Sequence, residues 1–353
     1  MKTPVLALWM LLPLASGTIL VGESATGSLV KHAANIEQAL DSSLANWRVK
    51  YSRPAVTPFP SDNGYTKQRE ELGKVLFFDP RLSGSGSIAC STCHNPGFSW
   101  GDGMAKAVGM GSKQLGRRSP TVLNTAWADV LMWDGRAGSL EEQALLPITA
   151  ESEMNGSLAS LRRTVTTVPE YKALFEQAYP SEPISEVTVA RAIATFERTV
   201  VSGQAPFDRW IAGDNGAISN EAKLGFELFN GKANCAKCHS NWNFTDNGFH
   251  DIGLNSADLG RGAKLQLVSM QYAFKTPTLR NIDRRSPYMH DGSEKTLQKV
   301  VEFYDKGGAV RRPSLSPEIV PLNLSAEEKR QLVAFLKTLT SSDSPTAIPM
   351  LPQ

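Results

Sequence analysis

Residues 90–94 read Cys90-Ser91-Thr92-Cys93-His94, and residues 235–239 read Cys235-Ala236-Lys237-Cys238-His239. These two C-x-x-C-H motifs use all four cysteines of the chain, and two of its five histidines stand directly behind them. Two thiols three residues apart can add to the two vinyl groups of one haem, and the next residue turns its imidazole under the iron. The pattern therefore assigns Cys90, Cys93, Cys235 and Cys238 to covalent haem attachment and His94 and His239 to proximal ligation. A zinc site would leave both histidines surplus and join pairs far apart in sequence. A thioredoxin-like redox pair would need a βαβ pattern, which is not found.

Each motif is embedded in a longer duplication. Leu72-Gly73 and Leu76-Phe77 precede the first, Leu224-Gly225 and Leu228-Phe229 the second, with helical apolar spacing. Ser119-Pro120-Thr121 and Thr276-Pro277-Thr278 follow, then Trp133-Asp134-Gly135 and His290-Asp291-Gly292, with proline and aspartate 14 residues apart in both copies. Carried 13 residues beyond each aspartate, the register matches Pro147 with Tyr304. If both lie over the distal face of their own haem, one iron meets a ring that cannot ligate and the other a phenol. A closed six-coordinate haem carries electrons, whereas an open one binds peroxide or oxygen.

The 353 residues suffice for about two domains of roughly 100 to 200 residues. Lys+Arg 37 against Asp+Glu 35 give a net charge of +2, which offers no basic face to a nucleic acid. Lys2, the apolar run 5–14 and the small residues after it have the layout of a secretory signal peptide, assigned to 1–25 with cleavage near Gly17 or Ala25. That run is shorter than the ~20 apolar residues a membrane span needs, so an exported protein without stable membrane insertion is expected. Helical spacing predicts helices over 34–50, 68–78, 156–179, 184–201, 218–230, 294–305 and 325–340, the last opened by a Ser325/Glu328 capping box. Segments 79–132 and 240–293, rich in Gly, Pro, Asn and Ser, are expected as loops around haem, and 203–216 as a hinge. The expected fold class is mainly α with little β: two cytochrome c-like haem domains, 26–205 with the open haem and 206–353 with the electron-transfer haem.

The segments LFFDPRLS, CSTCHNP, SPTVLN, WDGRA, PFDRW, CAKCH, TPTLRN and PYMHDG, taken in order, resemble the bacterial di-haem cytochrome c peroxidase family, including its MauG-type members. The resemblance runs from about residue 66 to 340. It implies two class-I cytochrome c-like domains facing each other, with Trp133 relaying electrons between the haems. Gln143 and Glu153 fall at the family's distal glutamine and glutamate, where Glu153 would move a proton between the oxygens of hydrogen peroxide. Arg136 and Arg280 are candidate partners of haem propionates.

Three departures from the family pattern bear on function. Tyr304 replaces the axial methionine of the ordinary peroxidases; a phenolate stabilises higher iron oxidation states, as in MauG-type enzymes, which hold both irons near Fe(IV) and oxidise side chains of a partner protein. The alternative is that Tyr304 packs while Met289 or Met270 ligates. No histidine lies between His94 and His239 to block the open haem, and the corresponding loop offers only Met110. The family's calcium site uses an asparagine before the first Ser-Pro and carbonyls flanking the Pro-Tyr; here Arg118 replaces the asparagine, with Arg285 and Pro287 at the carbonyl positions, and an arginine repels the ion or substitutes for it.

The resemblance implies a periplasmic di-haem oxidoreductase that uses hydrogen peroxide to form a high-valent state and oxidise Trp or Tyr side chains of a protein substrate. The alternative is a peroxidase drawing electrons from a cytochrome c or a cupredoxin. A non-enzymatic di-haem carrier would need a ligand on both distal faces, which Pro147 opposes.

Overall fold

The helix pair that fills each half is set by a missing side chain. In a computed structural model describing residues 45–342 and 346–353, a helical turn over 45–51 (α1) leads to α2 (Lys67–Phe78), which crosses α7 (Glu186–Thr199). A Cβ on Gly73 would stand 1.9 Å from the carbonyl oxygen of Ala192 and 2.9 Å from Cβ of Phe196. In the second half α9 (Asn220–Asn230) crosses α12 (Ala326–Lys337), and a Cβ on Gly225 would stand 1.9 Å from the carbonyl oxygen of Gln331 and 2.8 Å from Cβ of Phe335. Only glycine lets backbone meet backbone so closely, so the duplicated Leu-Gly pairs mark one helix crossing built twice.

Each crossing buries a triad of rings. Phe77, Trp100 and Phe196 lie with centroids 5.3 to 6.0 Å apart, and Phe229, Phe244 and Phe335 with centroids 5.0 to 6.1 Å apart. Asp79, fully buried in the LFFDPRLS segment, accepts from Arg81 at 2.7 Å and from the hydroxyl of Tyr171 at 2.6 Å. Its pairing with Arg81 and Tyr171 offsets the cost of burial and holds its carboxyl below the usual range.

The remaining helices are α3 (Cys90–Cys93), α4 (Leu140–Thr149), α5 (Leu158–Thr167), α6 (Pro169–Ala178), α8 (Pro206–Ile211), α10 (Gly260–Leu265) and α11 (Leu297–Asp305). Among the described residues the only sheet is the two-residue pair β1 (Phe249–His250) and β2 (Phe274–Lys275), antiparallel with Phe249 opposite Lys275. The mainly helical, strand-poor expectation holds. The capping box of α12 forms, with Glu328 N–H donating to Ser325 Oγ at 3.1 Å and Ser325 N–H to Glu328 Oε2 at 2.7 Å.

Four expectations need correction. The helix expected over 156–179 is two, α5 and α6, because Pro169 has no amide hydrogen to continue α5 and instead opens α6. Helix α4 lies outside the expected helices; it carries Pro147 in its interior, and the Ser139 cap together with burial of Leu140, Ala144 and Ile148 holds it. The hinge expected over 203–216 contains α8, which buries Phe207, Trp210 and Ile211. Helix α10 interrupts the expected loop 240–293. The signal peptide over 1–25, His32 and most of the helix expected over 34–50 lie outside the described residues.

Candidate functional site

Both C-x-x-C-H motifs open onto one continuous cavity of about 720 Å³, lined by Cys90, Cys93, His94, Cys235, Cys238 and His239. The four cysteines are half-buried, and none is held in a disulfide. Behind each histidine stands a carbonyl: His94 Nδ1 lies 3.3 Å from the oxygen of Trp100, and His239 Nδ1 lies 2.9 Å from that of Phe244. With Nδ1–H donating, each ring keeps Nε2 as its electron-pair donor, and burial pushes both imidazoles toward the neutral form. Thiols, neutral imidazole and oriented second partner form the donor set a covalently attached haem requires, so the site fits the group at both motifs.

Sequence reasoning missed what aims those carbonyls. Trp100 and Phe244 both adopt left-handed backbone, with φ of 63° and 53°, a costly conformation for bulky aromatic residues. Their rings anchor in the two aromatic triads, which turns each carbonyl onto its histidine. No local sequence signal marks this, although the repeat itself would match the two positions once the histidines are superposed. The backbone duplication runs on: Asn124 and Asn281, Met132 and Met289, Gly135 and Gly292 all have positive φ in both copies.

The residues expected on the distal faces keep the repeat's register. Leu140 opens α4 after the cap Ser139, and Leu297 opens α11 after the cap Thr296. Pro147 and Tyr304 then stand at the same turn of equivalent helices, and both line the cavity. Gln143 and Glu153 line it too, and burial raises the Glu153 carboxyl against the opposing influence of Arg136. Met289 lines the cavity, whereas Met110 lines a neighbouring one of about 490 Å³ beside Cys93. Burial pushes the Tyr304 phenol well above its ordinary range.

Trp133 sits where the halves meet. Its Nε1–H donates to the carbonyl of Arg118 at 3.0 Å, and its own carbonyl accepts from Lys275 N–H at 2.8 Å. Asp134 receives Arg117 at 2.8 Å and Arg136 at 3.0 Å, and Arg117 reaches across to Asp258 at 2.6 Å. The imidazole of His290 stacks on Phe274 with centroids 3.6 Å apart; its Nε2 is buried with no partner among the described residues, and burial pushes the ring down to about 4. His250, given no role by the sequence, lines the cavity and pairs with Asp246 at 2.9 Å, which pushes it up to about 10.

Arg280 is a correction. It is fully buried behind the cavity wall, paired with Asp208 at 2.8 Å and donating to the carbonyl of Trp242 at 2.7 Å, so the expected propionate contact gives way to an internal ion pair. Arg136 does line the cavity. Arg118 and Arg285 line it as well, and two guanidinium groups in that wall do not fit a calcium ion.

A profile of the di-haem cytochrome c peroxidase family matches residues 67–216, and one of cytochrome c matches 222–340. The chain belongs to the di-haem cytochrome c peroxidase family, as a two-haem c oxidoreductase that uses peroxide. Within it the chain is MauG-like: it is 52% identical to the methylamine utilization protein MauG of Methylorubrum extorquens, over 88% of each chain. It is 50% identical to the protein of the same name from Methylophilus methylotrophus, over 87% of this chain and 92% of that one. It is 34% identical to the cytochrome c551 peroxidase of Pseudomonas aeruginosa, over 81% and 83%. The crystal structure of a MauG-like protein associated with microbial copper homeostasis superposes with a TM-score of 0.76 at 31% identity, over 82% of this chain and 95% of that one. Among the described residues no helix is long and apolar enough to cross a membrane.

Proposed function

We propose that the protein is a periplasmic oxidase that takes two electrons at a time from Trp or Tyr side chains of a partner protein, with hydrogen peroxide as oxidant. The equivalence of Pro147 and Tyr304 on one cavity carries this reading: one half offers no distal ligand, the other a buried phenol. Haem bound at each motif supplies a redox-active iron. His94 and His239 would ligate the two irons, each ring fixed by its carbonyl, and Tyr304 would offer its phenol to the group at the second motif. Glu153 shuttles a proton between the oxygens of peroxide so that the departing one leaves as water, and Gln143 orients the molecule. The buried Glu153 carboxyl keeps a proton at higher pH than an exposed one, which suits a group that both takes and returns it. Trp133, fastened to both halves, is the relay between the sites. The signal-like segment at 1–25 and covalent haem attachment support export to the periplasm, and identity to MauG proteins supports a protein substrate.

The test is the visible to near-infrared spectrum of the fully ferric protein after one equivalent of peroxide, without prior reduction. Loss of the ferric Soret band with a new near-infrared band is expected. No reaction until one haem is reduced would establish instead a reductively activated peroxidase fed by a cytochrome c or cupredoxin; the relative from Pseudomonas aeruginosa is named a cytochrome c551 peroxidase.

A further inference from the structure

Among the described residues Arg118 and Arg285 are buried arginines with no ion pair. Arg118 is 9% and Arg285 6% exposed, and both line the cavity. Among the described residues the guanidinium of Arg118 makes no hydrogen bond or ion pair, and its Nε is buried and unpartnered. Arg285 gives one nitrogen to the carbonyl of Thr278, while its Nε is likewise unpartnered.

Among the described residues no acidic group pairs with either guanidinium. Asp102, the carboxylate that acts on Arg118, accepts from Ser119 Oγ and from Met104 N–H, each at 3.0 Å. Tyr288 acts on both arginines, but its hydroxyl donates to the carbonyl of Ile282 at 3.1 Å and burial pushes it up to about 12, so it is neutral. Burial pushes both guanidinium groups down, and the charge of Arg118 adds to this at Arg285. Two like charges in a dry wall with orphaned donors are costly unless an anion meets them, and a planar guanidinium is built to bind a carboxylate through two nitrogens.

The backbone puts the pair on the relay. Arg118 N–H donates to the carbonyl of His290 at 2.9 Å while its own carbonyl holds the Trp133 indole, so this residue joins Trp133 to the second half. Arg118 stands before Ser119-Pro120 in the first half and Arg285 before Ser286-Pro287 in the second, so each half contributes one cation.

We propose that Arg118 and Arg285 form a carboxylate clamp for haem propionates, supplying the positive charge between the two sites that would otherwise call for a divalent cation. The proposal rests on the reading that a haem occupies each motif. It makes the enzyme independent of calcium.

The test uses holoprotein whose haem content is counted first. After dialysis against EGTA, metal analysis is expected to find calcium well below one ion per protein, with ferric and peroxide-treated spectra unchanged by chelation or by added calcium. Arg118→Gln and Arg285→Gln are each expected to lower the midpoint potential of at least one haem, since lost positive charge favours the ferric state, and Arg118→Lys to restore part of the shift. With two haems present, stoichiometric calcium, a chelator-sensitive spectrum or unmoved potentials would overturn the clamp alone. A potential that follows phosphate concentration would assign the pair to a free anion and overturn it too. A haem content below two would overturn the two-haem reading and the clamp with it.

Discussion

The rings of Trp133 and His290 meet edge to face, centroids 6.3 Å apart and planes at 66°, although the two residues hold the same position in the two repeats. The duplication has thus placed an oxidisable indole and an imidazole against each other at its own seam. Trp133→Phe keeps the ring packing but removes the hydrogen bond to Arg118 and the oxidisable group. Peroxide should still bleach the ferric Soret band of this variant, while the near-infrared band and oxidation of a protein substrate are lost. A wild-type near-infrared response would remove Trp133 from the route.

Glu153 gives a pH signature. Its carboxyl must lose a proton to accept one from peroxide, and burial raises the pH at which it does so. The second-order rate with peroxide should therefore rise with pH through an inflection above that of an ordinary glutamate. Glu153→Gln should cut it by about 10²- to 10⁴-fold and flatten the profile, read by stopped-flow absorbance.

Glu197, buried in α7 on the cavity wall with Oε2 unpartnered, is pushed by burial up to about 8. An unfolded glutamate ionises near pH ~4.3, so between there and about 8 the unfolded chain releases a proton that the folded one keeps. Its contribution is fully present below that window and is lost as pH rises through it, by roughly 1.4 kcal/mol per pH unit. Glu197→Gln should be relatively more stable the higher the pH from 5 to 8, measured as the guanidinium midpoint against wild type; parallel curves would refute the assignment.

Gly73→Ala and Gly225→Ala test the duplicated crossing. Each added methyl meets a carbonyl oxygen at 1.9 Å, backbone that cannot rotate away. Each should cost about 1–3 kcal/mol or more and lower the thermal midpoint. A neutral result at either position would mean that its helix pair slides freely.

The sequence made the two C-x-x-C-H motifs, the repeat and the Pro147/Tyr304 register readable because each depends on spacing along the chain. What depends on distant partners was hidden. Arg280 looks like any propionate-binding arginine until Asp208, 72 residues away, takes its charge. Arg118 and Arg285 could be placed at the family's calcium positions from spacing alone, but their burial without an ion pair among the described residues could not be read there. Helix α4 hid behind its interior proline, and the left-handed Trp100 and Phe244 hid because aromatic residues so rarely adopt that backbone.

The cavity draws its wall from residues as far apart as Ile88 and Leu336. A chain whose middle is assembled around attached groups has part of its folding free energy supplied by their attachment. Biogenesis is then paced by the haem-ligation machinery: a host that translates and exports the polypeptide faster than it is furnished with haem would accumulate an open, protease-sensitive precursor. Recombinant yield should accordingly follow haem supply rather than transcript level.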